Sequence, residues 1–398
     1  NKPSQLLLYL TGASGTTPTG NAAVNISGNT IHSACGFSFD ENGNTHETSM
    51  IGQNLLTRFH TFTKKIKTSD DSAPFARISI LFAGDFMQLP PVLDKALYIP
   101  DTITCFSSLV ENEPSKSINL WLNVNHAVQL KTQMRQIDDP FYMNILKNMR
   151  HGNLTEIQLE ALRSRILSNN LIDSREWRNA TFLVTKNDLR VWLNLEAVKE
   201  HAYDNNLSVI YSCAQDSYNR KILARNNRIL RQIVYDQNSI NTSSSHGNNI
   251  VLKDPPKYVI VEITGKKPGS YETLPSNHIP IYPIKRACVY SIWTRDRSKI
   301  HRNFQCFQLP LTPAYAFTDF KSQGRTFQKT IIDLSGKYAN NSVYVMLSRA
   351  QRLNDLLILQ LFNESILNMQ RSFSLCAELM HIEECIQRTA QLKTWPDI

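Results

Sequence analysis

Residues Ile78–Val92, ISILFAGDFMQLPPV, are the stretch that decides the fold. The stretch opens with the apolar run Ile78–Ala83, which is short, rich in β-forming residues and ended by a glycine. Such a run is typical of a strand buried on both faces of a parallel sheet. Because ligands in open α/β sheets bind beyond the carboxyl ends of the strands, the pattern predicts that Asp85 and Gln88 face a ligand. The alternative is an ordinary strand exit in which Asp85 caps the next turn.

Length and composition bound the class of protein. A chain of 398 residues exceeds one ordinary hydrophobic core, so we expect two or three domains. With 41% hydrophobic and 19% charged residues, the composition is that of a globular protein. The 43 Lys and Arg against 34 Asp and Glu give a net charge of +9, which favours a polyanionic partner.

The seven cysteines argue against a disulfide framework or a zinc site. They are scattered, odd in number and without any C-x-x-C pair, which is typical of a reducing compartment inside the cell. No uninterrupted apolar run reaches membrane-spanning length, so we expect no membrane partner. The first residues, NKPSQ, do not have the pattern of a signal or transit peptide.

The periodicity of the chain predicts alternating helices and strands. Residues 50–66 and two segments within Pro140–Leu167 have helical spacing. The first of those two helices is expected to bury one face, formed by Phe141, Ile145, Leu146 and Met149. Three alternating stretches favour strands of a small, basic β subdomain: Tyr258–Ile263, Ile279–Ile284 and Ala287–Trp293. Interleaved aromatic and basic residues there suit a nucleic-acid surface, and a solvated β face is the alternative.

The string GDFMQLPPV resembles motif III of the petite-integration-frequency (PIF) helicases, superfamily 1B DNA helicases related to RecD. Further strings resemble motifs of the same family in the same order. They are TPTGNAAVNISGNTI at 17–31 (motif Ia), HETSM at 46–50 (motif II), LKTQMR at 130–135 (motif IV), TDFKSQG at 318–324 (motif V) and YVMLSR at 344–349 (motif VI).

This resemblance implies an α/β fold with two RecA-like P-loop NTPase domains, a small β-rich insertion in the second and a truncated first domain. The implied boundaries are 1–138 for the first RecA-like domain, 139–210 and 308–365 for the two parts of the second, 211–307 for an SH3-like insertion and 366–398 for a helical extension. It implies ATP and Mg²⁺ as cofactors and single-stranded and forked duplex DNA as partners. It also implies 5′-to-3′ unwinding in DNA repair, recombination or telomere maintenance by a monomer. The expected compartment is the nucleus, with the mitochondrion as the alternative.

The resemblance also assigns roles to individual residues. The catalytic positions are Glu47, Gln88, Arg135 and Arg349, and the nucleotide-binding positions are Gly12, Gly15, Thr16 and Gly324. The DNA-binding positions are Pro18, Thr19, Thr30, His32, Lys321 and Ser322. His46 stands where the family has its magnesium-binding aspartate. Glu47 as an acid at a helix N-terminus and Arg135 as a surface residue remain alternatives.

One departure from the family pattern limits the expected activity. A phosphate-binding loop needs G-x-x-x-x-G-K-[ST], yet no lysine occurs between Lys2 and Lys64. The simplest account is an internal deletion that joins the phosphate loop to motif Ia. Two hypotheses follow: an ATP-dependent helicase with impaired turnover, or a remnant that binds single-stranded DNA without catalysis. A metal-dependent nuclease finds no support, because no Asp, Glu and His cluster has ligand spacing.

Overall fold

The computed structural model describes residues 7–11, 51–67, 73–91, 94–99, 120–167, 175–212, 214–218, 221–222, 250–252, 254–263, 274–275, 277–293, 299–336, 341–368 and 371–392. The described helices are α1 (Gln53–Lys67), α2 (Pro140–His151), α3 (Glu156–Arg163), α4 (Asn187–Asp204), α5 (Asp319–Ser322), α6 (Ser342–Leu347) and α7 (Phe373–Ala390). The described strands are β1 (Leu7–Thr11), β2 (Ile80–Gly84), β3 (His126–Gln129), β4 (Thr181–Val184), β5 (Ile210–Ser212), β6 (Gln215–Tyr218), β7 (Lys221–Ile222), β8 (Ile250–Leu252), β9 (Val259–Glu262), β10 (His278–Ile281), β11 (Ile284–Trp293), β12 (Lys299–Gln308), β13 (Ala316–Thr318), β14 (Thr330–Ile332) and β15 (Leu356–Ile358).

The chain forms two compact units. Among the described residues, the first unit holds those up to Thr185 and from Phe317 onward, and the second holds those from Lys186 to Ala316. The five-part domain division expected from the sequence stays a prediction. None of the helices in the described part of the chain combines the length and apolar character needed to cross a bilayer.

The first sheet of unit one is parallel and has the order β2-β1-β3. Thr11, the last residue of β1, pairs with Gly84, the last residue of β2, and with Gln129 at the end of β3. The three strands therefore end at the same edge. Since parallel neighbours need long crossover connections, this edge collects segments that lie far apart in the sequence.

Strand β2 corrects one expectation. Burial on both faces was predicted, and Phe82 is indeed only 7% exposed, but Leu81 is 57% exposed. In the described structure β2 pairs with β1 alone, so it lies at the edge of the sheet, and Leu81 on one of its faces is exposed to solvent. The apolar run predicts the strand correctly, but the structure does not bury both of its faces.

The second sheet of unit one has the order β13-β4-β14-β15, and β14 pairs in parallel with both β4 and β15. All three residues of β14 are buried, which confirms the strand expected after the K-S-Q-G string. The side chains of Leu183 and Ile332 in this sheet belong to the same hydrophobic cluster as Phe82 and Trp121 beside the first sheet. One hydrophobic cluster of unit one thus contains side chains of both sheets, and a second, smaller cluster holds Trp177, Ala180, Ile331 and Leu357.

Helix α7 is joined by two polar contacts to strand β3 and to the segment just before it. The Trp121 indole N–H donates to Glu378 Oε1 at 2.9 Å, and the Ala127 backbone N–H donates to Thr389 Oγ1 at 3.0 Å. Burial raises the pKa of Glu378, because desolvation outweighs the hydrogen bond from Trp121. The C-terminal segment therefore forms the predicted helix and completes the core.

Helices α2 and α3 confirm the two helices expected between 140 and 167. The buried face of α2 consists of Tyr142, Ile145, Leu146 and Met149, whereas Phe141 is 44% exposed. The expectation for Phe141 was wrong because Tyr142 continues the i, i+3, i+4, i+7 stripe and Phe141 lies about 100° away from it.

The segment before β2 holds a backbone conformation that L-residues seldom adopt. Phe75, Ala76 and Arg77 have φ values of 51°, 52° and 61°. The conformation is held by burial of Phe75, whose backbone N–H donates to His60 Nδ1 at 2.9 Å and whose ring lies 6.1 Å from that of Phe82.

Unit two is rich in β-structure, as the sequence predicts. Strands β9, β10 and β11 overlap the three expected stretches, and the four-stranded sheet β11-β12-β6-β7 is antiparallel throughout. Helix α4 is held by Asn194, whose amide donates to Ala316 O and accepts the Tyr315 and Ala316 backbone N–H groups, each at 3.0 Å. Lys285 and Arg286 on β11 are exposed.

Candidate nucleotide and DNA site

The loop after β2 is fixed by a buried ion pair. Asp85 Oδ1 accepts the Met87 backbone N–H at 3.0 Å, which forms the tight turn that follows the strand. The same carboxylate receives both terminal nitrogens of Arg150, in the last turn of α2, with Arg150 Nη2 3.0 Å from Oδ1. The guanidinium of Arg150 also lies 5.2 Å from the centre of the Tyr344 ring.

The pKa values of this pair follow from its burial and charge. Burial alone would raise the pKa of Asp85, but the Arg150 charge and hydrogen bonds from Arg150, Met87 and Gln88 lower it below the ordinary 3.8. Burial alone would lower the pKa of Arg150, and Asp85 more than offsets this and raises it. Asp85 is therefore an ionised carboxylate whose oxygens are already bonded to Arg150 and Met87.

Gln88 contacts the turn that follows helix α5. Its side-chain Oε1 accepts a hydrogen bond from Gln323 Nε2 at 3.2 Å, and both side chains are buried. Its backbone carbonyl accepts from the amide of Asn341, the residue before α6. The strand end that was predicted to sense a nucleotide is thus contacted by Gln323 of the K-S-Q-G string and by Asn341, three residues before the Y-V-M-L-S-R string.

The turn that contains Gly324 has a left-handed backbone. Gly324 has φ +76°, and a Cβ placed there would meet nothing within 4 Å, so the conformation and not the space calls for glycine. In the preceding α5, Lys321 is exposed, whereas Ser322 is completely buried and its hydroxyl donates to Asp319 O at 2.7 Å. Of the two predicted DNA contacts in this string, only Lys321 faces solvent, and DNA binding by either residue stays a prediction.

The side chain of Arg135 contacts the C-terminal end of helix α6. Its Nε donates to Thr326 Oγ1 at 2.8 Å and its Nη1 to Ser348 O at 3.0 Å. Gln136 donates to Ser348 O and Ala350 O as well. These bonds satisfy carbonyls that a helix end leaves without intrahelical partners. Burial lowers the pKa of Arg135 below its ordinary value.

Arg349 is the largest of the fully buried side chains in the described part of the chain, with 1% exposure. Its guanidinium donates to Val345 O at 2.8 Å, to Ser348 Oγ at 2.7 Å and to Arg325 O at 3.4 Å. Burial, followed by the charge of Arg135, lowers the pKa of Arg349 to about 9. Within the described residues, neither Arg349 nor Arg135 has a carboxylate partner.

Three of the predicted catalytic residues are thereby brought together. Gln88 contacts Gln323, which precedes Gly324 and Arg325, and the Arg325 carbonyl accepts from Arg349. Two guanidinium groups without an acid and one amide at a strand end form a site suited to a polyanion, because arginine bonds phosphate oxygens in pairs. The remaining predicted residues lie outside the described part of the chain: Gly12, Gly15, Thr16, Pro18, Thr19, Thr30, His32, His46 and Glu47.

Sequence reasoning missed three residues of this site: Arg150, Gln323 and Asn341. Gln323 had a signal, since it stands inside the K-S-Q-G string between residues that were singled out. Arg150 had none, because its partner Asp85 lies 65 residues earlier. No group of three or more His, Cys, Asp or Glu with the geometry to hold a metal ion occurs among the described residues.

Comparisons with known proteins agree with these observations. The family model described as PIF1-like helicase matches residues 44–160. The Xenopus laevis ATP-dependent DNA helicase PIF1 is 24% identical over 331 residues, covering 79% of this chain and 45% of the relative. The Saccharomyces cerevisiae ATP-dependent DNA helicase RRM3 is 22% identical over 379 residues, covering 79% of this chain and 50% of the relative. The chain spans half or less of the length of these curated relatives.

Two solved structures share the fold over almost the whole chain. Pif1 helicase from Bacteroides in complex with ADP-AlF3 and single-stranded DNA has a TM-score of 0.58 at 19% identity, covering 96% of this chain and 94% of the other. Pif1 helicase from Candida albicans has a TM-score of 0.57 at 18% identity, covering 96% and 95%. They confirm the predicted α/β, RecA-like fold. Together, the ordered motifs, the family model and the curated relatives show that this chain is similar to PIF1-like helicases.

Proposed function

We propose that the chain is an ATP-dependent DNA helicase that unwinds DNA in the 5′-to-3′ direction with impaired turnover. The observation that carries the proposal is the pair of acid-free arginines, Arg135 and Arg349, which share Ser348 as a neighbour and lie beside the Gln88–Gln323 contact. Burying uncompensated charge is costly, so such a pair is expected where an anionic ligand supplies the missing charge.

Each residue has a role in this proposal. Bound ATP with Mg²⁺ would supply the hydrolysable phosphate. Gln88 would donate to the γ-phosphate, and Arg349 and Arg135 would stabilise the charge that develops on it. Gly12, Gly15 and Thr16 would face the other phosphates and Glu47 would polarise the attacking water. Since His46 stands at the Mg²⁺ position, we expect weak metal binding there.

DNA contacts complete the proposal. Single-stranded DNA would be held by Pro18, Thr19, Thr30 and His32 and by the K-S-Q-G string at Lys321 and Ser322. Support comes from the net charge of +9 and from the exposure of Lys321. Forked duplex DNA is the expected substrate and the monomer the expected working form. The nuclear location stays a prediction.

Impaired turnover follows from the phosphate loop. With no lysine between Lys2 and Lys64, the chain has no side chain to reach the β and γ oxygens from that loop. Losing a single preorganised contact to the transition state costs roughly 3–4 kcal/mol, which is a factor of about 10² to 10³ in rate. We therefore expect slow hydrolysis.

The second candidate is a protein that binds single-stranded DNA without hydrolysing ATP. The missing lysine favours it, as do the exposed cations Lys257, Lys285 and Arg286 on the β-rich unit. Its signature would be DNA affinity that falls steeply with salt, since phosphate contacts release counterions.

One experiment separates the candidates. Phosphate release from ATP is measured with and without oligodeoxythymidylate for the wild type, for Arg349→Met and for the control Arg352→Met, whose exposed side chain pairs with Asp138. The helicase proposal expects DNA-stimulated release in the wild type and control and its loss in Arg349→Met. Phosphate release that does not exceed background in any of the three proteins would leave the second candidate. The helicase proposal also expects the wild type to unwind a fork with a 5′ tail but not a fork with a 3′ tail.

A further inference from the structure

The oxygen of the Gln88 side-chain amide has a buried hydrogen-bond donor. Gln323 Nε2 donates to Gln88 Oε1 at 3.2 Å. The backbone of Gln88 is fixed as well, because its N–H donates to the Asp85 carbonyl at 2.9 Å. Asp85, Gln88 and Gln323 are 4%, 8% and 2% exposed, so water does not compete freely for these bonds.

The orientation of this amide matters chemically. An amide nitrogen has two hydrogens and its oxygen has none. With its oxygen accepting from Gln323, the amide has its hydrogens left for a phosphate oxygen, whereas a flipped amide would present its oxygen to the phosphate and repel it. The hydrogen bond from Gln323 therefore selects the donating orientation.

We propose that Gln323 is a positioning residue that holds the Gln88 amide with its N–H groups toward the terminal phosphate of a bound nucleotide. This inference rests on the proposed function, since it needs a triphosphate beside Gln88.

Gln323 carries a cost that stability alone does not explain. Its Oε1 has no hydrogen-bond partner among the described residues although the atom is buried. A buried polar atom left unsatisfied is unfavourable, so an apolar residue of the same size would suit the core better. Sites that break such a rule are expected to serve function.

Gln323 also connects the two kinds of ligand that the site is proposed to hold. The same short string contains the exposed Lys321 on one side and the left-handed Gly324 on the other. A shift of this string on DNA binding would move the donor that holds Gln88. The geometry thus offers a direct route by which DNA can change discrimination between a triphosphate and a diphosphate.

The test compares affinities for ATPγS and ADP, measured by titration calorimetry on the full chain with oligodeoxythymidylate present. The variants are Gln323→Leu, Gln323→Glu and Gln88→Ala, and the control is Gln158→Leu. Gln158 is a buried glutamine that completes the N-terminal capping box of α3, so its loss lowers stability without touching the site. Thermal unfolding of every variant is recorded alongside.

The expected result is a loss of preference for ATPγS over ADP of roughly three- to tenfold in both Gln323 variants, the size of one hydrogen bond. Gln88→Ala should lose as much, the double variant Gln88→Ala/Gln323→Leu should lose no more, and Gln158→Leu should keep the wild-type ratio. The glutamate variant keeps the volume of Gln323, so it remains informative if the leucine variant does not fold.

Two results would overturn the proposal in distinguishable ways. If Gln88→Ala lowers the ratio and both Gln323 variants keep it, Gln88 senses the phosphate without this positioning, and the proposed function stands. If the wild type prefers neither nucleotide and Gln88→Ala changes nothing, the triphosphate site fails, and the positioning role fails with it.

Discussion

Asp85 and Arg150, 65 residues apart, join the loop after β2 of the first sheet to the end of helix α2 through two hydrogen bonds and an ion pair. Arg150 also donates at 3.2 Å to Oη of Tyr344, which lies in helix α6, and that helix ends two residues before Arg349. The side chains at this contact are 5% and 23% exposed. The loop that contains Gln88 is therefore held to the segment that contains the acid-free arginines.

Removing one member of this pair should be more harmful than removing both. Breaking a buried ion pair leaves a charge without a partner and costs roughly 3–5 kcal/mol, so we expect Asp85→Ala to lose about 3 kcal/mol of unfolding free energy after allowing for the partial exposure of Arg150. The double variant Asp85→Ala/Arg150→Met should recover part of that loss. Urea denaturation of the wild type, of Asp85→Ala, of Arg150→Met and of the double variant measures the coupling energy. Additive losses of unfolding free energy would contradict the prediction.

The same pair predicts a pH dependence. The pKa of Asp85 is lowered in the folded state, so its stabilising contribution is fully present above the unfolded value of 3.8 and is lost as the pH falls through the folded value. The stability of the wild type should therefore fall more steeply below pH 3.8 than that of the double variant. Parallel curves for the two proteins would show that Asp85 does not titrate this way.

Arg349→Met should separate stability from ligand binding. Without nucleotide, removing a buried guanidinium that has no acid partner should leave the unfolding free energy unchanged or raise it by about 1–2 kcal/mol. The increase in melting temperature that ATPγS gives the wild type should vanish in the variant. A variant that is strongly destabilised yet still responds to ATPγS would mean that Arg349 is a structural residue only. Arg352→Met controls for the loss of an exposed arginine.

Ala76→Gly should stabilise the protein. Ala76 has φ 52°, a conformation that costs an L-residue about 1–2 kcal/mol, while the extra freedom of glycine in the unfolded chain takes back about 0.4–1 kcal/mol. The expected net gain is about 0.5–1 kcal/mol, measured by denaturation. The matched change Ala161→Gly, inside helix α3, should lose about 1 kcal/mol. If both changes destabilise equally, the left-handed conformation at Ala76 carries no strain.

Gly324→Ala and Gly152→Ala form another matched pair. Both glycines have positive φ, +76° and +69°, with nothing within 4 Å of an added Cβ, so each substitution should cost about 1 kcal/mol of stability. Gly152 only ends helix α2, whereas Gly324 follows Gln323. ATPγS binding should weaken in the Gly324 variant alone. Equal effects on binding would remove the assignment of Gly324 to the nucleotide site.

Local sequence patterns predict many helices and strands of this fold. The order of the motifs predicts which distant segments lie close together. The period of apolar residues predicts α1, α2, α3 and β14, and the motif order predicts that Gln88 and Arg349 share a site. Burial was harder to predict, because the exposure of Leu81 depends on which strand forms the sheet edge. The face of α2 was displaced by one residue because Phe141 and Tyr142 are both large and aromatic.

The partners of the site could not be derived from local patterns at all. Arg150 pairs with Asp85 and Gln323 pairs with Gln88 across separations of 65 and 235 residues. No periodicity spans such distances, and each residue type is ordinary where it stands. These side chains come together because the two sheets of unit one contribute to one shared hydrophobic cluster.

The central claim is that a triphosphate binds against Gln88, Arg135 and Arg349, and a structure of the chain with ATPγS, Mg²⁺ and oligodeoxythymidylate tests it most directly. The account predicts that the γ-phosphate oxygens lie within about 3 Å of Gln88 Nε2 and of guanidinium nitrogens of both arginines. A nucleotide bound elsewhere, with Arg349 still directed only to Val345, Ser348 and Arg325, would contradict it.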